Sequence, residues 1–134
     1  MLPSTNNYLV VAPLSVAVSK TKSFSLNLNQ YRNTHYQILN KAKHSFKECL
    51  APQIKALPTF RCVALHYIIF PKTKRRFDLA NIGSVVDKFF SDALVEFGKL
   101  PDDNYQYVQS VSFSFGEISE NPRVEVHIYE LIWH

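Results

Sequence analysis

The chain has 134 residues, 46% of them hydrophobic and 13% aromatic, with only three glycines. This is the composition of one ordered globular domain, large enough to bury a core without a disulfide or structural metal, and it excludes a disordered or low-complexity chain. The formal net charge is +4, and the two cysteines, Cys49 and Cys62, lack C-x-x-C or Cys/His ligand spacing, which predicts reduced, buried thiols in a cytosolic protein.

Near the N-terminus, YLVVAPLSVAV is interrupted by Pro13 and has no basic residue before it. It is too short to span a bilayer and wrongly flanked for a signal peptide, and alternation at Leu14, Val16 and Val18 predicts a strand. SFSLNLNQY alternates Phe24, Leu26 and Leu28 with polar residues, as a half-exposed strand or an extended loop does. The period then changes: Ile38, Leu39, Ala42, Phe46, Cys49 and Leu50 recur at helical steps behind Asn33 and Thr34, either of which suits a cap. Pro52 should end or kink that helix.

RCVALHYIIF, residues 61–70, is apolar on both faces and reads as an interior strand. After the basic loop PKTKRRF, a second helix is expected from about Asn81 to about Phe97, stopped by Gly98. Two alternating segments, Val111 to Phe115 and Val124 to Ile128, flank GEISENPR and read as a C-terminal hairpin. The fold class expected is α/β: one domain, residues 1–134, with a mixed β-sheet packed by two main helices.

Charge is distributed unevenly. Residues 1–76 hold twelve Lys/Arg against one acid, Glu48, whereas residues 77–134 hold three Lys/Arg against ten acids. Such a division suits a protein that attracts a polyanion with one surface and handles it with carboxylates on another, although two ordinarily solvated faces would look the same in a sequence. All five aspartates, Asp78, Asp87, Asp92, Asp102 and Asp103, lie in one short segment directly after the densest basic run, Lys72, Lys74, Arg75 and Arg76.

Asp78 stands at or just before the second helix, where a carboxylate can receive backbone N–H groups or hold a metal. Asn81, Lys88 and Asp92 project within about 40° of one another on that helix, and Asp87 lies more than about 100° away from them. If Asp78, Asp92 and Asp103 converge they need a cation, because like charges about 4 Å apart repel by about 4 kcal/mol at an effective dielectric of about 20. Oxygen-only ligands favour Mg²⁺, which would serve phosphodiester hydrolysis with Lys88 offsetting transition-state charge. Each residue also has a structural explanation: Asp78 as a cap, Lys88 and Asp92 as an i,i+4 pair, Asp102 and Asp103 as turn residues.

R-R-x-D-L-x-N, then K-x-x-x-D-A-L within a helix, then G-x-x-x-D-D, resemble the signature of the RusA family of Holliday junction resolvases, common in phages and prophages. SLNLNQYRN upstream is similar to that family's Asn- and Tyr-containing segment, so the resemblance covers about residues 24–108. It implies a crossover junction endodeoxyribonuclease: a small α/β homodimer in a bacterial host's cytoplasm that binds four-way DNA junctions and nicks them in pairs with Mg²⁺ or Mn²⁺. The family's catalytic positions match Asp78, Lys88 and Asp103. Asp92 and Asp102 match its additional acids, and Asn81 its asparagine.

The chain departs from that pattern at Ala80, where the family has a second aspartate, and by about one extra helical turn before Asp92. Either Asp92 or Asp87 supplies the missing ligand, with Asp92 favoured because it shares a face with Asn81 and Lys88, or one metal suffices, or the site is inactive. In the last case the chain is a module of the same fold that binds branched DNA or a protein. An RNA-directed nuclease or binder is also compatible with the composition. Lys72, Lys74, Arg75 and Arg76 would contact phosphates, and His66 and His127, lacking zinc-ligand spacing, are expected to be satisfied strand histidines.

Overall fold

In the computed structural model, residues 4–73 and 78–132 are described, with side chains from residue 6 onward. The elements run β1 (Ser4–Ala12), β2 (Ser15–Ala17), β3 (Ser23–Ser25), α1 (Leu28–Asn33), α2 (Tyr36–Lys55), β4 (Val63–Phe70), α3 (Leu79–Glu96), β5 (Val108–Phe115) and β6 (Arg123–Ile132). The main sheet has the order β1-β6-β4-β5, with β4 and β5 parallel and the other pairs antiparallel. It is a mixed sheet, as expected, and β4 is interior. β2 and β3 form a separate two-stranded sheet.

The inward side chains alternate as strand geometry requires: Val10 and Ala12 on β1, Val124, Val126 and Ile128 on β6, and Val63, Leu65, Tyr67 and Ile69 on β4 are all buried. Above them α2 packs on β1 and α3 on β4 and β5. Ala42, Phe46, Leu50 and Ile54 of α2 and Val85, Val86, Phe89, Phe90, Ala93 and Leu94 of α3 close the core from above. Burying each of the valine, leucine, isoleucine and phenylalanine side chains is worth roughly 1.5–3 kcal/mol. Gly83 lets α3 approach β5, because a Cβ there would run into the Phe113 ring.

Several local expectations are corrected. The N-terminal run is two strands divided at Pro13, with β1 in the main sheet and β2 in the small one. Of SFSLNLNQY only Ser23–Ser25 is strand, since the Asn27 side chain accepts from the Gln30 N–H at 2.8 Å and starts α1 at Leu28. α2 is capped by His35, whose Nδ1 accepts from the Gln37 N–H, and not by Asn33 or Thr34. It also continues through Pro52 to Lys55, so the proline falls within its last turn.

β5 and β6 do not form a hairpin. β4 lies between them, and β5 joins it in parallel through the crossover helix α3. Alternation identified both strands, but the GEISENPR loop carries the chain past β4 to its far side.

Gln53 of α2 supports one edge of the sheet: its amide accepts from the Val11 N–H at 2.7 Å and donates to the Val11 carbonyl at 2.9 Å. Cys62 is buried, and burial pushes its thiol up; Cys49 is exposed, against the expectation of two buried thiols. Among the described residues no helix is long and apolar enough to cross a membrane.

Candidate functional site

The acidic segment occupies three separate places around α3. At its N-terminus Asp78 is the N-cap residue by position, yet its exposed carboxylate makes no capping hydrogen bond. It lines a cleft of about 470 Å³ with Arg32, Asn29 and Asn33 of α1 and Asn81 of α3. Asn81 ties the two helices together, since its Oδ1 accepts from the Leu28 N–H at 3.0 Å.

The second place faces α2. Lys47 Nζ lies 2.9 Å from Asp92 and 2.5 Å from Glu96, so Asp92 belongs to an ion pair across the helix interface. Desolvation works against the Lys47 charge, but hydrogen bonds to Glu96 and Asp92 and their charges raise its pKa overall. Lys88 does not bridge to Asp92 as an i,i+4 partner; its Nζ stands 5.8 Å from the centre of the Tyr31 ring, over its face. The shared face of Asn81, Lys88 and Asp92 is therefore turned toward α1 and α2.

Asp87 occupies the third place, halfway along α3 on the sheet side. Its Oδ1 accepts from the Tyr67 hydroxyl at 2.6 Å and from the Ser91 hydroxyl at 3.1 Å. Desolvation raises its pKa, the two hydroxyl donors lower it, the charge of Asp103 raises it and that of Lys88 lowers it. Burial and the Asp87 charge in turn push the Tyr67 phenol well up, which keeps it a neutral donor.

Asp103 sits in the loop between α3 and β5, where its N–H donates to Asp102 Oδ1 at 2.7 Å and Asn104 donates to the other Asp102 oxygen at 3.1 Å. Asp102 is committed to that turn through both carboxylate oxygens, and both aspartates are exposed. Nine residues of helix, about 13 Å, separate Asp78 from Asp87. The expected meeting of Asp78, Asp92 and Asp103 is not assembled: among the described residues no three His, Cys, Asp or Glu side chains stand together in a way that could hold a metal ion.

Neighbours in sequence, Asp87 and Lys88 diverge on α3: Asp87 meets Tyr67 on the sheet side and Lys88 the Tyr31 ring of α1. The sequence matches no protein-family model, and no curated protein matches it. The likeness to RusA resolvases therefore rests on the quoted residues alone.

Tyr67 and Ser91 escaped the sequence reading. A tyrosine on the inward face of an interior strand needs a partner for its hydroxyl, and Ser91 follows Asp87 by one helical turn; together these were a legible signal. Of the basic run, Lys72 is exposed beside a cleft it shares with Pro71, Thr73 and Asn27. Lys74, Arg75 and Arg76 lie outside the described residues. His66 is satisfied, with Nδ1 2.6 Å from Ser112 Oγ and Nε2 2.9 Å from Ser114 Oγ. His127 is not, because its buried Nε2 has no hydrogen-bond partner.

Proposed function

We propose that this protein is a metal-dependent endonuclease acting on branched DNA, with four-way junctions as substrate and a homodimer as the working form. The observation that carries the reading is Asp87, a half-buried carboxylate held through Oδ1 by the Tyr67 and Ser91 hydroxyls, with Asp103 in the loop that follows the same helix. Two carboxylates that meet at one place are relieved by a divalent cation. The donor set fits Mg²⁺ or Mn²⁺, since Mg²⁺ binds through one or two carboxylates and fills its remaining positions with water and substrate oxygen. Such an ion, when bound, polarises the scissile phosphate and acidifies a water.

The chain's own groups do the rest. Tyr67 and Ser91 fix the Asp87 rotamer by holding Oδ1, which leaves Oδ2 outside those two bonds. Lys88 offsets negative charge as the phosphate approaches. Asp78 is too far along the helix to share an ion with this pair, and in this reading its cleft with Arg32 borders the path of the nucleic-acid backbone. Lys72 and the basic residues of α2 supply sequence-independent phosphate contacts. A junction is recognised through its shape, which removes the need for a base-reading helix.

A second reading is a binding module of the same fold that has lost cleavage. Two observations favour it: Ala80 stands where the family has a carboxylate, and no three ligating side chains gather among the described residues. Incubation with a synthetic four-way junction and Mg²⁺ separates the two. Paired nicks lost in Asp87→Asn and Asp103→Asn support the nuclease; tight junction binding without nicks supports the module.

A further inference from the structure

The two edges of the main sheet are finished differently. On β1 the Gln53 amide takes both the N–H and the carbonyl of Val11. β5 has no such cover, and among the described residues no strand lies beyond it. The Gly116 N–H donates to the Ile69 carbonyl, and the backbone groups of successive strand residues point to opposite neighbours. Ser112 and Ser114 therefore face β4, while Val111 and Phe113 turn their N–H and C=O groups away from it. Such a row is a template for one partner chemistry, the backbone of a further strand.

Proteins usually blunt an open edge with a lysine, a proline or a bulge. Val108–Phe115 holds no charge and no proline, and its one irregularity of register lies at its start, before Ser110. In a chain of net charge +4, this uncharged edge lets a second copy approach without repulsion. The side chains also suit themselves. A two-fold axis perpendicular to the sheet makes the pairing antiparallel and keeps both helical layers on one side. With that axis at Ser112, Val111 of one copy lies opposite Phe113 of the other, and Ser110 opposite Ser114. Val111 is 37% exposed, and the pairing covers it with an aromatic ring, a favourable cross-strand pair. α3 packs over β5, so the seam is two layers deep. A strand of this length at about 3.3 Å per residue, with layers together about 20 Å deep, gives about 500 Å² per copy, which reaches the roughly 1,000 Å² in total that a specific interface needs.

We propose that β5 is the dimer interface, two copies pairing antiparallel through it about an axis at Ser112 to join their four-stranded sheets into one. This rests on the homodimer of the reading above and assigns it a surface. The two α3 helices, each with its Asp87, then lie on the same face of the joined sheet, a two-fold arrangement that suits paired nicks in a two-fold junction.

Sedimentation equilibrium of the full chain without DNA tests this. Wild type should show a monomer–dimer equilibrium in the micromolar range, the strength expected of a small interface. Val111→Lys places a charge on the edge without touching the β4 ladder and should weaken the dimer at least about ten-fold. Leu9→Lys, on the far strand, should leave it unchanged. Ser112→Cys in a Cys49→Ser background should form a disulfide-linked dimer under mild oxidation, because directly opposed residues of a non-hydrogen-bonded pair have Cα atoms about 4.5 Å apart, within disulfide reach. A wild-type dimer that survives Val111→Lys and gives no cross-link through Ser112→Cys overturns this inference and leaves the homodimer reading standing. A wild type that stays monomeric both alone and on a four-way junction overturns both.

Discussion

The Tyr67 hydroxyl donates a 2.6 Å hydrogen bond to Asp87 Oδ1 and so joins the middle of the interior strand to the middle of α3. Tyr67 is fully buried, and the pair is the polar contact around which Phe90 and Phe113 pack. Tyr67→Phe should destabilise the fold by about 1.5–3 kcal/mol, the usual worth of a bond to a charged group. It should also raise the Asp87 pKa further, since a donor to the carboxylate is gone. Urea unfolding and a carboxyl NMR titration check the two effects.

Asp87 itself gives the fold an unusual pH dependence. Its folded pKa is raised above the ordinary carboxylate value, chiefly by desolvation. The folded state therefore holds the proton more tightly than the unfolded chain. This contribution is present in full below the unfolded pKa and falls as pH rises through the folded one. As pH rises from below the ordinary carboxylate pKa through the raised folded one, Asp87→Asn should gain in stability relative to wild type. A wild-type advantage that grows over the same interval would contradict this.

Asp92 should behave differently from Asp87. It is more than half exposed and paired with Lys47, so Asp92→Asn should cost at most about 1 kcal/mol. Junction cleavage should stay within a few-fold of wild type, as gel quantification of nicked strands would show.

Gly83→Ala tests how α3 is seated. Helix propensity alone favours alanine by about 1 kcal/mol. The Phe113 ring nevertheless occupies the space of the new methyl, and overpacking of this kind costs about 1–3 kcal/mol. Thermal unfolding should show a net loss of stability, although the position is helical.

The α/β class, the central place of residues 61–70 and the span of α3 were legible because hydrophobic periodicity is written directly into sequence. The pairing of β5 with β4 was not. Two alternating segments next to each other look like a hairpin, and only the burial of β4 between them decides otherwise. The same limit governs the acids. Wheel geometry correctly separated Asp87 from the face of Asn81, Lys88 and Asp92, but could not show that this face meets Lys47 and Tyr31 while Asp87 meets Tyr67. Helix spacing says which residues share a side; what lies opposite depends on contacts far apart in the chain.

Cleavage of a labelled four-way junction in Mg²⁺ by wild type, Asp87→Asn and Asp103→Asn tests the central claim most directly. Wild type should release nicked strands in symmetric pairs, and each variant should bind the junction with near-normal affinity while cleaving at least about 100-fold more slowly, the order lost when a group that stabilises transition-state charge is removed. Equal cleavage by all three proteins would contradict the account, as would junction binding by wild type without any Mg²⁺-dependent nick.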